Sequence, residues 1–474
     1  MVGLWSSFQN PLRNVKKTFE LITIRMQESC STRANKPFDT RIDRWHLAPD
    51  SKTTMRKSIS LIVAGAALTV ATSTATAAAG GWVNLFDGRS LDGWIQRNGQ
   101  ARYSVENGAI VGRTVRDTPN SFLCTERHYA NFILELEYKV DPRMNSGVQI
   151  RSHSLKSYRD GRVHGYQVEI DPSARAWSGG IYDEARRGWL NPLKDNPTAQ
   201  KAFKQNQWNH YRVEAIGDRI KTWVNGVPAA DLHDALTPSG FIALQVHSIP
   251  KDKPEGMEIR WRNIRIKDLG PAKPLPLFDG LTLSGWIDGA GNPVKAGGWV
   301  AEDGTLHRKG KGGSIYTALE YGDFELNLQW KISEAGNSGI KYRVAKYGSA
   351  LLGPEYQVLD DDKHPDGQKR EGRRKSAALY DLFKCNDQKQ LKPVGEWNQT
   401  KIIVRGSKAE HWLNGKKVLA YDTQSEAWKK EHAASKFKGL KDFAQNKWGR
   451  IMLQDHNDLV WYRNITLKPL PPLD

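Results

Sequence analysis

The chain has 474 residues and a formal net charge of +18, with 26% of its residues charged. The positive charge is spread along the chain without the long Lys/Arg run that indicates a nucleic-acid-binding stripe. No Cys/His spacing in it is typical of a zinc site. Composition therefore argues against a nucleic-acid partner and favours a globular protein with a solvated, positively charged surface.

The first residues do not resemble part of a folded domain. Residues 1–54 lack sustained periodicity, and we expect a non-native upstream extension or a disordered segment there. Residues 55–79 have the features of a signal peptide, with a basic start at Met55, an apolar run and small residues before Gly80. The alternative, a membrane anchor, is disfavoured because the apolar run is short. We expect translation to start at Met55 and the mature protein, without a membrane span, to be periplasmic or secreted.

One motif occurs twice. LFDGRSLDGW at 85–94 returns as LFDGLTLSGW at 277–286. Other shared motifs follow in the same order: NSG (145–147 and 337–339), WN (208–209 and 397–398), WVNG and WLNG (223–226 and 412–415), LQVH and LQDH (244–247 and 453–456), and RNI (262–264 and 463–465). A period this long indicates two copies of one domain. We predict domains over 80–269 and 277–470, joined by a Pro-rich linker over 270–276.

Each copy has the pattern of an all-β sandwich, with short strands separated by Gly, Asn, Asp and Pro. Residues 132–140 alternate between apolar and polar side chains, and 324–332 repeat the alternation. One face of such a strand packs in the core, and the other meets water or ligand. The best helix candidate is 425–443, which only the second copy has.

Polar residues that alternate with core residues form the candidate site. If their strands line one sheet, an Arg, a carboxylate, a Gln and a His converge in a polyol-binding cleft that holds an acid/base pair. These residues are Arg151, Glu169, Gln245 and His247 in the first copy, and Arg343, Glu355, Gln357, Gln454 and His456 in the second.

Four more residues are candidates for substrate contact. Trp189 lies in a Gly/Arg-rich loop, Tyr182 lies in the GGIYD sequence at 179–183, and Tyr380 is a candidate in the second copy. Glu137 sits on the polar face of a strand. Each has a structural alternative, because tryptophans fill cores, strand carboxylates form cross-strand ion pairs, and a strand histidine is more often structural than catalytic.

Two alignments of the copies place the carboxylate differently. Aligning the two Tyr-Gln-Val motifs by identity gives one register. Matching the polar faces instead sets Gln167 against Glu355 and Glu169 against Gln357, which is physically sounder. The carboxylate then moves between strand positions, so either the copies act on different substrates or one has become a binding domain.

Taken together, LFDGxxLxGW, NSG, YQV, GGIYD (179–183) and LQxH…RNI are similar to the 3-keto-disaccharide hydrolase, or 3-keto-glucoside-1,2-lyase/hydratase, domain family. The resemblance covers about 82–267 and 277–468. It implies two tandem concanavalin A-like jelly-roll β-sandwiches and a role in bacterial sugar breakdown.

The resemblance also implies a chemistry. A separate oxidoreductase forms a ketone at C3 of a glycoside, a base removes the acidified C2 proton, the C1 substituent leaves by β-elimination, and water adds to the product. We expect His247 and His456 as acid or base, with Glu169 and Glu355 as carboxylate partners or metal ligands. The two arginines would stabilise the enolate. No cofactor is assigned, and a divalent metal, Ca²⁺ or another, is the candidate.

The competing hypothesis is a non-catalytic, lectin-like pair of carbohydrate-binding modules, because the fold alone does not decide function. An arginine, a histidine and a carboxylate meeting in one cleft would favour the enzyme, whereas a shallow aromatic platform would favour the lectin. Cys124 and Cys385 leave two alternatives open, an inter-domain disulfide or two free thiols.

Overall fold

The computed structural model describes residues 81–472. The predicted upstream extension and signal peptide lie outside the described residues. Within 81–472, no helix is both long and apolar enough to cross a membrane.

The first sandwich contains fifteen strands in two antiparallel sheets. They are β1 (Trp82–Asn84), β2 (Trp94–Asn98), β3 (Arg102–Glu106), β4 (Ala109–Arg113), β5 (Ser121–Thr125), β6 (Phe132–Val140), β7 (Ser146–His153), β8 (His164–Ile170), β9 (Ile181–Glu184), β10 (Gly188–Asn191), β11 (Asn209–Ile216), β12 (Arg219–Val224), β13 (Val227–His233), β14 (Phe241–Val246) and β15 (Glu258–Asp268). The outer sheet has the order β13-β12-β11-β6-β15-β4-β3, with β1 beside β15. The other sheet, called the cleft sheet because a cleft lies on it, has the order β10-β9-β8-β7-β14-β5-β2.

The second sandwich repeats this plan with fewer strands in its cleft sheet. Its strands are β16 (Leu275–Pro276), β17 (Trp286–Ile287), β18 (Trp299–Glu302), β19 (Thr305–Arg308), β20 (Ile315–Thr317), β21 (Phe324–Ile332), β22 (Asn337–Tyr347), β23 (Ala350–Leu352), β24 (Glu355–Leu359), β25 (Asn398–Arg405), β26 (Lys408–Leu413), β27 (Lys416–Asp422), β28 (Arg450–Leu453) and β29 (Val460–Pro469). The outer sheet has the order β18-β19-β29-β21-β25-β26-β27, with β16 beside β29. The cleft sheet has the order β17-β20-β28-β22-β23, with β24 beside β22.

These sheets confirm the predicted fold class, all-β with two tandem concanavalin A-like jelly-roll sandwiches. Alternation explains why the sheets pack. On β6 the side chains of Phe132, Leu134, Leu136 and Tyr138 are fully buried between the sheets. Burying a large apolar side chain of this kind contributes about 1.5–3 kcal/mol, so the period-2 pattern is enough to fix which face of the strand turns inward.

Two hairpins end in Asn-Gly, as the sequence predicts. Asn225 and Gly226 have φ angles of 50° and 81°, and Asn414 and Gly415 have φ angles of 47° and 81°. A two-residue turn with both central residues at positive φ matches the right-handed twist of the strands, and Asn-Gly accepts that conformation with little strain. These turns connect β12 to β13 and β26 to β27.

Helix is scarce, and the predicted helix over 425–443 is shorter than expected. The described residues form helices α1 (Pro197–Gln200) and α2 (Glu426–Ala434) and short 3₁₀ turns at Arg159–Gly161, Pro365–Gln368 and Arg370–Gly372. Ser425 caps α2 by accepting the backbone N–H of Trp428. The helix stops at Ser435, whose extended backbone has left the helical region.

Candidate functional site

The first sandwich carries a cleft of about 890 Å³ on its cleft sheet. Strand register explains which side chains share it. Glu169 pairs with Gly147 across β8 and β7, Tyr182 pairs with Gln167 across β9 and β8, and Glu184 pairs with Gly165. Directly opposed and alternate residues point to the same face of a sheet. Glu169, Tyr182 and Glu184 therefore project together into the cleft, which Trp189 and His247 also line.

Glu169 is a buried carboxyl that is held in place by neutral donors. Its Oε1 accepts a hydrogen bond from Asn145 Nδ2 at 2.7 Å, and its Oε2 accepts one from Gln167 Nε2 at 2.8 Å. Arg175 Nη2 lies 3.3 Å from Oε1. Burial raises the pKa of Glu169 above its usual value, although these three partners favour the charged form. A carboxyl of raised pKa can carry a proton nearer to neutral pH, as a general acid must.

His247 follows β14 and is half-buried at the edge of the cleft. Its Nδ1 lies 2.7 Å from the carbonyl oxygen of Ser248. A carbonyl oxygen only accepts, so Nδ1 carries the proton and Nε2 keeps its lone pair. Burial lowers the pKa of His247, which favours this neutral form. The arrangement suits a general base.

An aromatic corner closes one side of the cleft. Trp189 meets Tyr182 edge-to-face with ring centroids 5.2 Å apart, and it meets Trp177 in the same way at 4.8 Å. The Arg175 guanidinium lies 4.9 Å from the Trp189 ring centroid and donates from Nε to Asp171 Oδ2 at 2.7 Å. Flat aromatic surface beside charged donors can bind both the C–H face and the hydroxyls of a sugar.

Glu184 and Arg175 are cleft residues that the sequence analysis missed. Glu184 is 6% exposed, burial raises its pKa, and Arg162 Nη2 lies 3.7 Å away. The sequence could have identified Glu184, because it lies two residues after Tyr182 on β9 and therefore on the same face of the strand. Arg175 lies in a loop, where no periodicity reports the direction of a side chain.

The structure corrects the expectation that Arg151 and Arg343 contact substrate. Arg151 is fully buried and donates to Ala130 O at 2.7 Å and to Gly217 O at 2.8 Å. Its backbone has a φ of 45°, and the pairing of β7 with β8 shifts register at this point. This β-bulge interrupts the alternation and turns the side chain away from the cleft.

Arg343 repeats the same arrangement in the second copy. Its φ is also 45°, and it donates to Gly322 O at 3.0 Å and to Gly406 O at 2.6 Å. Its Nη2 pairs with Asp323 Oδ1 at 2.5 Å. Both arginines therefore hold turns of the fold in place through backbone carbonyls, and Arg151 has no exposed surface for a ligand.

Glu137 also lies away from the cleft. It is on β6 of the outer sheet, where its Oε2 accepts from Arg262 Nε at 2.6 Å. Arg262 in turn stacks on Trp208 with the guanidinium 4.0 Å from the ring centroid. Glu137 therefore forms a cross-strand ion pair with Arg262 and does not contact substrate in the cleft, which corrects the expectation from the sequence.

Gln245 occupies the floor beneath the cleft. It pairs with Gly147 across β14 and β7, which puts it in the same row as Glu169. Its side chain is fully buried, and neither amide atom has a hydrogen-bond partner among the described residues. Gln454, just beyond β28, likewise has a buried Oε1 without a partner in the described chain.

The second copy confirms the alignment by polar faces. Across β22 and β24, Gly339 pairs with Gln357 and Lys341 pairs with Glu355. The first copy has Gly147 with Glu169, and Gln149 with Gln167, at the same places. The carboxylate has therefore moved two residues along the strand.

That move changes the electrostatics of the second copy. Lys341 Nζ lies 3.4 Å from Glu355 Oε2, and both side chains are nearly buried. The Gln357 carboxamide, itself fully buried, donates from Nε2 to Asn337 Oδ1 at 3.1 Å. Nearby, Tyr380 donates its hydroxyl to Asp366 Oδ2 at 2.8 Å. Glu355 is thus compensated by a lysine, whereas the first copy has two neutral glutamines at the equivalent pair.

Comparison with known proteins agrees with the repeat. The family model of the 3-keto-alpha-glucoside-1,2-lyase-like domain matches residues 81–267 and again 273–468. The chain belongs to this family. A curated relative, the 3-keto-disaccharide hydrolase of Bacteroides thetaiotaomicron, is 36% identical over 234 residues, which cover 41% of this chain and 78% of the relative.

Two crystal structures from Parabacteroides distasonis, both described as glycosyl hydrolase candidates, are also similar. One is 33% identical with a TM-score of 0.38, covering 41% of this chain and 92% of that one. The other is 28% identical with a TM-score of 0.34, covering 42% and 100%.

The two domains of this 3-keto-alpha-glucoside-1,2-lyase-like chain differ in one more respect. In the second domain, ligand-capable atoms of His364, His456 and Asp458 lie within 4.8 Å of one another. Among residues 81–472, these three could hold a metal ion. Glu169 and Glu355, which were expected as carboxylate partners or metal ligands, are not part of this group.

Proposed function

We propose that the protein is carbohydrate-active and that its first sandwich cleaves 3-keto-glycosides by β-elimination followed by hydration. One observation carries the proposal. A histidine with a free Nε2 and a buried carboxyl of raised pKa line the same cleft, so a proton acceptor and a proton donor face one space. Membership of the family and the name of the curated relative support the substrate class.

The proposed reaction uses the residues of the cleft in named roles. The C3 ketone acidifies the C2 proton, which His247 Nε2 removes. As the C1=C2 bond forms and the C1–O bond breaks, Glu169 or Glu184 delivers a proton to the leaving oxygen. Arg175 stabilises the negative charge that develops on the ketone oxygen. Water then adds across the double bond to give the 3-keto sugar. The ketone must come from a separate oxidoreductase.

The size of the cleft supports a glycoside with more than one ring. Pockets that enclose a small ligand typically measure about 300–1,000 Å³, and this cleft is about 890 Å³. The Trp177–Trp189 corner offers a stacking surface for one ring, while His247 and Glu184 line the remaining space.

The second sandwich has a different candidate function, carbohydrate binding without catalysis. Gln357 favours this hypothesis, because it stands at the place of Glu169 and a carboxamide cannot act as a general acid. A lectin-like role for the whole chain is the competing hypothesis. Secretion to the periplasm or the medium remains our proposal from residues 55–79.

A turnover assay tests the proposed function. The purified chain is mixed with α- and β-linked 3-keto-glucosides, and the enone absorbance and the released aglycone are followed. We expect turnover by the wild type and a loss of about 10²–10⁴-fold in kcat/KM for Glu169→Gln. Glu355→Gln is the matched control and should retain activity. Intact sugar binding without turnover of any substrate would instead support the lectin-like function.

A further inference from the structure

Three side chains from two separate loops meet in the second sandwich. His364 begins the 3₁₀ turn Pro365–Gln368, which follows β24. His456 and Asp458 lie in the loop between β28 and β29. One nitrogen or oxygen atom from each lies within 4.8 Å of the other two. Because the segments are distant in sequence, a search for regular Cys/His spacing does not find this group.

We propose that His364, His456 and Asp458 bind a divalent transition-metal ion of the zinc class. Two imidazoles and one carboxylate are a ligand set that zinc and its neighbours prefer, whereas Ca²⁺ and Mg²⁺ prefer oxygen ligands alone. Three protein ligands leave a coordination position open for water or substrate.

The surroundings leave the required atoms available, because the contact between Asn337 Nδ2 and His364 Nε2, at 3.5 Å, is too long for a strong hydrogen bond. The backbone N–H of Asn337 donates to Asp458 Oδ2 at 2.9 Å, which orients the carboxylate and leaves Oδ1 for the metal. The two imidazole rings meet edge-to-face with centroids 6.2 Å apart. His456 is exposed, and His364 and Asp458 are half-buried, so an ion can enter from solvent.

Binding requires two small adjustments. Ligand atoms around tetrahedral zinc are about 3.3 Å apart, since each lies about 2.0–2.1 Å from the ion. The atoms here lie within 4.8 Å of one another, so the loops must close by up to about 1.5 Å. The N–H of Asp366 faces His364 Nδ1 at 3.1 Å. A metal on Nε2 puts the imidazole proton on Nδ1, so this hydrogen bond is lost and the affinity falls about fivefold.

The first sandwich supplies the internal control. His247 occupies the position of His456 in the shared LQxH motif. Within residues 81–472, no corresponding three-ligand group forms around His247. A metal that requires all three ligands should therefore bind in the second sandwich alone.

Titration of the chelator-treated full chain with Co²⁺ and Zn²⁺ tests the proposal. We expect about one ion per chain by calorimetry and a Co²⁺ visible spectrum typical of a nitrogen- and oxygen-ligated site. His364→Ala and Asp458→Ala should each weaken binding at least tenfold, while His247→Ala should not change it. Circular dichroism melts establish whether each variant is folded. If Asp458→Ala is unfolded, Asp458→Asn replaces it in the titration, because asparagine keeps the shape of the side chain.

Three outcomes would overturn the site. They are no Co²⁺ or Zn²⁺ binding at millimolar concentration, binding that His364→Ala and Asp458→Ala leave unchanged, or binding of Ca²⁺ alone. The readout is independent of glycoside cleavage, so a failed turnover assay leaves the test intact.

Discussion

His247 and Glu169 illustrate how burial can shift two neighbouring groups in opposite directions. Both are removed from water, which disfavours the charged form of each. The pKa of the histidine therefore falls and that of the carboxyl rises. A neutral imidazole and a protonated carboxyl predominate together only at a pH above the pKa of His247 and below that of Glu169, and the two shifts move the pKa values toward that order. A neutral imidazole and a carboxyl able to carry a proton are what proton transfer at C2 and C1 requires.

The pH dependence of kcat/KM follows from these directions. Protonation of His247 removes the base, so activity should fall as pH falls. Because burial lowers the pKa of His247 from 6.5, the midpoint of this acid limb should lie below 6.5. Glu169 has a raised pKa, so the limb where its proton is lost as pH rises should lie above 4.5. A pH profile with its acid midpoint at or above 6.5 would contradict the assignment of His247.

Arg151 should matter for stability and not for substrate. Truncation by Arg151→Ala leaves the buried carbonyls of Ala130 and Gly217 without their donor, which costs about 2–4 kcal/mol of folding free energy. Urea unfolding measures the loss. Arg175→Ala is the control, because Arg175 is 40% exposed and should change turnover far more than stability. Equal effects of both substitutions on stability would argue against the structural role of Arg151.

At the scale of the strand, β7 places its residues differently on the two sides of the bulge. From Ser146 to Ile150 the pairing with β8 is regular, and Gly147 sits directly opposite Glu169. A Cβ atom at Gly147 would come within 2.5 Å of Cδ of Gln167, the residue that donates to Glu169. The absence of a side chain at this position therefore sets the geometry of the carboxyl.

Gly147→Ala should accordingly impair the cleft. The clash displaces Gln167, and overpacking of this kind costs about 1–3 kcal/mol. We expect kcat/KM to fall by an order of magnitude or more through the lost support of Glu169, at little change in overall fold. Gly339→Ala is the matched substitution beside Glu355 and should leave turnover intact. A circular dichroism melt and a turnover assay on both variants check this, and equal loss in the two would contradict it.

Strand periodicity predicted much of this site. It failed at individual positions, where a bulge, the choice of sheet or a loop decides where a side chain lies. The alternation on β8 and β14 correctly placed Glu169, Gln245 and His247 on one face. It failed at Arg151, because a bulge is invisible in a pattern of alternate residues. It placed Glu137 on a polar face without saying which sheet the face belongs to. Arg175 and His364 come from loops, whose positions depend on tertiary packing that no local pattern encodes.

For the molecule as a whole, duplication has kept the sandwich and changed the chemistry of its cleft sheet. The first copy has Gln149 and Gln167 at the pair of positions where the second has the ion pair of Lys341 and Glu355. The same exchange of side chains between copies explains why motif identity alone gave the wrong register. Turnover and carbohydrate binding can therefore be divided between two domains of one fold.

The cysteines give a prediction at the same scale. Among residues 81–472, Cys124 and Cys385 are both free, the former buried and the latter partly exposed. Burial raises the pKa of the Cys124 thiol to about 12, so it should react slowly. Thiol labelling of the unreduced native protein followed by peptide mapping should modify Cys385 first and Cys124 only after unfolding. A disulfide-linked peptide containing both would contradict the structure.

The most direct test of the central claim is solvent deuterium incorporation at C2 of a 3-keto-glucoside. ¹H NMR in D₂O follows the C2 signal of substrate and product with the wild type, His247→Ala and His456→Ala, against a protein-free blank. If the first sandwich removes this proton, incorporation should be fast with the wild type and His456→Ala and close to the blank with His247→Ala. Fast incorporation with His247→Ala that disappears in His456→Ala would place the chemistry in the second sandwich and contradict the account.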